Sequence, residues 1–392
     1  LGLGHIHFHH LIGVAEQIFD LKNSLSCTYD ITIHDYYFIN ANPTLTDKNG
    51  LFAGDNVVVR DKQCAEHYPI PEGLSAGQWR EKLAPWLDNA ERIIFPSADT
   101  QVRFIRDFPN CAQKSVIAWH PDFEVVGPYP EAKCTYQAGQ KLKVLVLGAI
   151  SREKGALMLD EVANDLKHED IEFHLLGYAF RALGDAVKSH GAYSSHDLQQ
   201  KLDEIKPDVI WYPAQWPETY SYTLSIALEK GLPVVVPNIG AFGERIVGRQ
   251  YSRVIAWDTS VKKMCEIWRS LRKDPQAFFD VNNEPAKLDL SHIKRTENFY
   301  QHNYLQDSWQ RESELGRIDY KALIASIYSS DYVEVVPVAL AAPQGRKEKL
   351  LAILWKLSRH PALAWCVKLI PYRLQRYVKR FLSRRAIHEI ID

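Results

Sequence analysis

The sequence predicts an α/β protein: two doubly wound, Rossmann-like parallel-sheet domains facing a cleft, then a basic helical tail. Three observations carry this. Short β-branched and aliphatic runs alternate with helical periodicities, the pattern of a parallel sheet covered by helices. The series pauses at a linker over 129–140 and then restarts, which separates residues 1–130 from 141–330. Finally, residues 345–392 hold twelve Lys or Arg against three Asp or Glu, a net of +9, while the remainder carries a net of −10. Such asymmetry marks a tail with its own role.

In the first domain, residues 1–10 (LGLGHIHFHH) read as a strand, 11–26 as a helix and 28–34 (TYDITIH) as a second strand. Residues 35–71, rich in Asn, Asp and Gly, read as a long irregular functional loop. A helix over 77–89 is interrupted by Pro85. A short strand at 92–96 leads into a helix capped at Ser97 or Asp99, and 115–119 is another strand. In the second domain, 143–147 (KVLVL) is a strand and 148–155 a tight loop. A helix at 156–167, a strand at 171–176 and helices near 181–189 and 196–205 follow. Then come a strand at 209–212, a helix at 220–230, a strand at 233–237 (PVVVP) and further helices to about 328. Ligands of such sheets bind at the carboxyl ends of the strands, so the cleft between the domains is the expected site. Residues 334–344 read as an extended linker.

Composition excludes several classes. A chain of 392 residues with 46% hydrophobic content is long enough for two cores, and a net charge of −1 argues against nucleic-acid binding. The six cysteines are scattered without a C-x-x-C pair, which argues against a disulfide framework or structural zinc and fits a reducing compartment. There is no basic n-region typical of a signal peptide and no run of 18 apolar residues. The chain opens inside a strand without an initiating Met, as expected of a segment of a longer polypeptide or of a processed terminus.

Two motifs carry chemistry. In Trp211–Pro237 (WYPAQWPETYSYTLSIALEKGLPVVVP) a strand ends, a loop holds Pro217-Glu218, and a helix starts near Tyr220. Free N–H groups and the positive dipole end of that helix suit a diphosphate, with Thr219, Tyr220 and Ser221 lining it. Glu218 either accepts hydrogen bonds from sugar hydroxyls or simply complements the helix dipole. The second motif, Gly148-Ala-Ile-Ser-Arg-Glu-Lys-Gly155, joins a strand to a helix as a phosphate-binding turn does, yet matches neither the P-loop nor the dinucleotide fingerprint. Arg152 and Lys154 are placed to neutralise phosphate charge.

Together these motifs resemble the C-terminal domain of retaining GT-B enzymes of glycosyltransferase family 4, in particular bacterial enzymes of O-antigen and capsule assembly. That family shows a Glu-Lys-Gly turn and later a Pro-Glu loop with two Glu residues, ending in Gly-x-Pro-Val. Glu153-Lys154-Gly155 matches the turn, Glu218 the first Glu, and Gly231-Leu232-Pro233-Val234 the end. The chain departs from the pattern at Ile226, where the ribose-contacting second Glu belongs, and at Ala149, where an Arg is frequent. Glu229, three residues after Ile226, is a candidate substitute. The N-terminal strand and Gly-rich loop of the fold are not visible, so the first domain reads as incomplete.

In the first domain, alternation puts His5, His7 and His9 on one strand face. They read as metal ligands, as buried structural residues or, by resemblance, as part of the acceptor side of the cleft. The last reading assigns His9, His10 and Asp35 to the acceptor side and sets His34 against the transferred sugar. No metal is expected. By resemblance Ser97, His120-Pro121-Asp122, Gly177-Tyr178, Tyr193, Gly240 and Glu244-Arg245 also face the cleft, with Gly177 and Tyr193 near the base.

The implied reaction displaces a nucleoside diphosphate from an anomeric carbon with retention, the leaving phosphate taking the acceptor proton. Lys154, Arg152 and the N–H groups near Thr219 and Tyr220 stabilise the leaving group. Glu218 orients the donor sugar, and no cofactor is needed. The tail, with Trp355, Trp365, Tyr372, Tyr377 and Phe381 among basic residues, suits an anionic membrane surface or packs back as a solvated helical face. The expected setting is cytoplasmic, at the inner membrane, with a nucleotide-sugar donor and a glycan or lipid-linked glycan acceptor. The competing reading is a catalytically degenerate module that binds glycan or organises partners within a larger synthase.

Overall fold

Two parallel sheets form where the alternating apolar runs fall. The computed structural model describes residues 5–11, 27–120, 129–280 and scattered positions between 346 and 382. The first sheet holds β1 (His5–Phe8), β2 (Thr28–Thr32), β3 (Ile93–Phe95) and β4 (Ser115–Ile117), side by side in chain order and all parallel. The second holds β5 (Leu142–Ile150), β6 (Ile171–Ala179), β7 (Val187–Ser189), β8 (Val209–Trp211), β9 (Val234–Pro237) and β10 (Ser252–Ile255). Its spatial order is β10-β9-β8-β5-β6-β7, all parallel. This is the doubly wound order, and the direction of winding reverses between β5 and β8.

The strand period of two explains the layers. Val144, Val146, Val209, Trp211 and Val235 point into one core, while Leu145, Leu147, Ile210, Val234 and Val236 point into the other. Helices α4 (Ala156–Asp165) and α7 (Val261–Lys273) cover the first face through Leu159, Val162, Met264 and Trp268. Helices α5 (Leu198–Ile205) and α6 (Tyr222–Glu229) cover the second through Leu202, Ile205, Leu224 and Leu228. Each such fully buried side chain contributes about 1.5–3 kcal/mol. A short α8 (Pro275–Phe279) follows α7.

In the first domain α2 (Ala76–Asn89) runs through Pro85, started by a capping box between Ser75 and Gln78. Helix α3 (Ala98–Asp107) is capped by the Ser97 side chain, one of the two expected caps. Within the loop expected over 35–71 lies a further helix, α1 (Val57–Ala65), capped by Asn56. Its exposed valines at 57–59 favour strand by propensity. The helix is held by buried Arg60, whose guanidinium makes two hydrogen bonds to Asp107, at 2.7 and 2.9 Å.

The helix expected near 181–189 does not form. Asp160 accepts from both Arg181 and Gly184 N, which fixes a turn there, and Val187–Ser189 pairs with β6 as a strand. The expected helix over 11–26, helices beyond 280 and linker over 334–344 lie outside the described residues, as do Pro121, Asp122 and most of the tail. The chain divides into two compact units, Leu1–Gln310 and Arg311–Asp392. Within the second, Leu351 and Leu382 are buried in one small cluster, and the Lys347 ammonium lies 4.6 Å from the centre of the Phe381 ring. None of the described helices is long and apolar enough to cross a membrane.

Candidate functional site

The reversal between β5 and β8 brings together the loops that follow those strands, and these loops are the two sequence motifs. Gly155 N-caps α4 with φ +81°, and a Cβ there would sit 2.0 Å from the carbonyl oxygen of Pro213. Gln215 N donates to Glu153 O at 2.8 Å. This close approach seats the Lys154 ammonium 3.1 Å from the Glu218 carboxylate, although the two residues are 64 positions apart. Burial pushes the Glu218 carboxyl above its ordinary range, and Lys154 pulls it back down. Gly148, with Gly177 beside it in register, closes the end of β5 against Thr223 in the first turn of α6.

Helix α6 starts two residues later than the sequence reading placed it. Ser221 is the cap, its hydroxyl accepting from Leu224 N. The N–H groups of the helix's first turn are therefore those of Tyr222 and Thr223 rather than Thr219 and Tyr220. The latter two reach the first domain through their side chains: Thr219 Oγ1 donates to His34 O at 2.6 Å, and the Tyr220 hydroxyl to His120 O at 3.4 Å. The carboxyl ends of the two sheets thus meet, as two Rossmann-like domains facing a cleft require.

His34, His9, His10 and Asp35 do assemble on the first-domain side. His9 Nδ1 lies 3.1 Å from His34 Nε2, and His10 Nδ1 lies 3.4 Å from Asp35. The imidazoles form a ladder, with His7 on His9 at 4.3 Å, His9 near His34 at 5.3 Å, and His34 on His120 at 4.7 Å between ring centres. Burial and neighbouring histidines hold His7 and His34 down to about 4, so both are neutral at pH 7. His5 approaches Asp30 at 3.4 Å, but Arg92 grips that carboxylate with Nε and Nη2. No cluster of three metal-ligating groups occurs among the described residues.

Glu244 and Arg245 tie the halves together. Glu244, on the turn after β9, accepts from Ala98 N at 2.9 Å and Asp99 N at 3.1 Å, the first turn of α3 in the other domain. Arg245 donates to Ser221 O, Ser225 Oγ and the Tyr129 hydroxyl, and lies 4.2 Å over the Tyr220 ring. Burial lifts Glu244 to about 7, with the nearby Asp99 charge raising it and Arg245 opposing.

A carboxyl whose folded value lies above its ordinary 4.5 keeps its proton when the opened state has lost it. The closed arrangement therefore loses stability as pH rises from 4.5 to about 7, then levels. We expect Glu244→Gln, which keeps an acceptor oxygen, to remove this slope, about 3 kcal/mol at most across the window. The check is the difference between the pH–stability curves of the two proteins, since His34 contributes the opposite slope to both. Parallel curves would rule the effect out.

Other expected site residues are not brought to the Lys154–Glu218 pair. Glu229 ends α6, about 10 Å along the axis from Tyr222, too far along to take the place of a carboxylate at Ile226. Ile226 itself packs half-buried on the core, as does Tyr193. Arg152 turns to a loop of the first domain, donating to Lys48 O at 3.3 Å. That loop, bridged by Thr46 and Phe52, reaches the second domain again where Phe52 N donates to Gln215 O at 2.8 Å. Sequence reasoning missed this clasp, although Asp47-Lys48-Asn49-Gly50 carries a turn signature realised by Asp47 accepting from Asn49 N and Leu51 N. A shallow pocket at the carboxyl ends of β8–β10, lined by Gln215, Trp257 and Met264 among others, contains neither Lys154 nor Glu218.

No known protein family and no curated protein matches the chain. Among solved structures, it is similar to HepE from Anabaena, in complex with UDP, at 15% identity over 65% of each chain with a TM-score of 0.43. A glycosyltransferase from Rickettsia africae aligns at 13% identity over 70% of each chain, with a TM-score of 0.43. Sucrose-phosphate synthase from Thermosynechococcus elongatus aligns at 12% identity over 83% of this chain and 75% of its own, with a TM-score of 0.44. The matched region spans just under two thirds of HepE. At this level of likeness the functional reading rests on the chain's own residues.

Proposed function

We propose that the chain is a nucleotide-sugar-dependent glycosyltransferase of GT-B type. The observation that carries this reading is the Lys154–Glu218 pair at the sheet's winding reversal, opposite His34. Lys154 and the Tyr222 and Thr223 N–H groups offer positive potential to a leaving diphosphate. Glu218 is an acceptor for sugar hydroxyls, and the opposed first domain supplies a face for the incoming hydroxyl. Arg152, turned to the first-domain loop, joins them only if that loop releases it. We extend the proposal to retaining transfer of a hexose or deoxyhexose in the manner of family 4, without metal or cofactor. The acceptor we propose is a bacterial O-antigen or capsule glycan at the cytoplasmic face of the inner membrane, on the strength of motif wording and tail charge.

Ile226 favours a second reading, because an aliphatic side chain cannot hold the ribose hydroxyls that a carboxylate would. On that reading the chain is a degenerate module that organises glycan or partners. Calorimetric titration with UDP, GDP, CMP and dTDP separates the two. We expect saturable binding of one nucleotide, weakened about tenfold or more, about 1.4 kcal/mol, by Lys154→Ala. Absence of binding by all four would overturn the catalytic reading and leave the module.

A further inference from the structure

We propose that the first-domain turn over residues 47–51 is a strap that withholds Arg152 from the phosphate site until a diphosphate takes it. The inference rests on the glycosyltransferase reading and adds to it a reason for preferring a diphosphate over a single phosphate.

Arg152 is an arginine without an anion. Among the described residues its guanidinium makes one hydrogen bond, to the neutral Lys48 carbonyl oxygen at 3.3 Å, and lies 5.7 Å from the centre of the Phe180 ring. A guanidinium has five N–H donors in a fork that fits phosphate oxygens two at a time, so most of this capacity is unused. Asp47, in the strap itself, is turned to its own backbone, accepting from Asn49 N at 2.8 Å and Leu51 N at 2.9 Å.

The strap is shaped to the contact. Gly50 has φ +82°, and a Cβ there would lie 2.6 Å from Arg152 Cγ and 3.1 Å from Glu153 N. The base of the strap is fixed on its own domain, where Asn42 Nδ2 donates to Thr46 O at 2.8 Å and Ala53 N to Leu45 O at 2.9 Å. Its other hydrogen bond to the second domain, among the described residues, runs from Phe52 N to Gln215 O.

Position gives the contact its effect. Gly155 N donates to Arg152 O at 3.0 Å and closes the turn that carries Lys154, so the Arg152 backbone stays within about 7 Å of Gly155. A diphosphate seated on Lys154 and the first turn of α6 offers Arg152 a charged acceptor in place of a neutral one, and charge-assisted hydrogen bonds are about twice as strong. Arg152 then changes partner, and the strap loses its tie at Lys48. A single phosphate engages Lys154 alone and leaves the strap in place.

Two alanine substitutions separate the strap from backbone strain. Gly50→Ala puts a Cβ against Arg152, whereas Gly54→Ala meets a similar φ of +87° with nothing within 4 Å of its Cβ. Each variant is titrated calorimetrically with UDP, GDP, CDP and dTDP and with the corresponding monophosphates. We expect Gly50→Ala to bind the preferred diphosphate about three- to tenfold more tightly than Gly54→Ala does, the worth of about one hydrogen bond, with monophosphate affinities equal within about twofold. In an Arg152→Ala background the gain disappears. Equal or weaker diphosphate binding by Gly50→Ala would overturn the strap, since a loop that closes over the donor as a lid is weakened by the same change. A gain that survives without Arg152, or that extends equally to the monophosphate, overturns it too. Hydrogen exchange of the unsubstituted protein is independent of how the variants fold. Residues 48–53 are expected to exchange faster once the diphosphate is added, and slower or unchanged exchange there counts against the strap. No binding of any nucleotide by the unsubstituted chain overturns the transferase reading itself, whereas binding without these differences overturns the strap alone.

Discussion

If the chain is the glycosyltransferase proposed, Lys154→Ala is expected to lower the rate of sugar transfer by about 10²–10³-fold, the usual effect of removing one preorganised group from a developing negative charge. Stability changes much less. The Lys154 side chain is more than a third exposed, so its pairing with Glu218 is partly screened by water. Glu218 also has a way to relieve the loss. Its carboxyl is already lifted by burial, and without Lys154 it rises further and takes up a proton instead of remaining a buried lone charge. The signature is thus a large fall in kcat beside a nearly unchanged thermal midpoint. Equal turnover by the variant would remove Lys154 from the chemistry.

The largest effect on folding is expected at Gly155. Alanine there meets two penalties, a left-handed backbone at φ +81° and a Cβ 2.0 Å from the Pro213 carbonyl oxygen. The backbone alone costs about 1–3 kcal/mol, and the overlap is relieved only by parting the two loops, so the total is about 3 kcal/mol or more. Gly139→Ala is the control, since φ is +90° but nothing lies within 4 Å of its Cβ. The difference between the two midpoints in denaturant measures the close approach of the loops. Identical midpoints would mean that the approach is absent.

The fold was legible where one physical signal dominated. Val144, Leu145, Val146 and Leu147 alternate between two buried faces, and no single face of a helix could hold all four. That the loops carrying Lys154 and Glu218 meet was legible, because both lie at strand ends that a doubly wound sheet brings together, but the pairing of the two side chains was not. What was not legible depended on distant partners. The helix at Val57–Ala65 is stabilised by Arg60 reaching Asp107, and the strand at Val187–Ser189 follows a turn fixed by Asp160. The clasp of the 47–53 loop on Arg152 and Gln215 joins residues more than a hundred positions apart, a contact without local periodicity. The start of α6 at Tyr222 was within reach, because Ser221, three residues before Leu224, is an ordinary cap.

One feature of the junction bears on how such proteins can be recombined. The helix that begins after Ser97 belongs to the first domain, yet the carboxylate that meets its first two N–H groups comes from Glu244 of the second. A second domain grafted from another protein would leave those donors bare unless it brought an acidic side chain to the same spot. The two domains are therefore keyed to each other, and exchange between relatives succeeds only with a matching key.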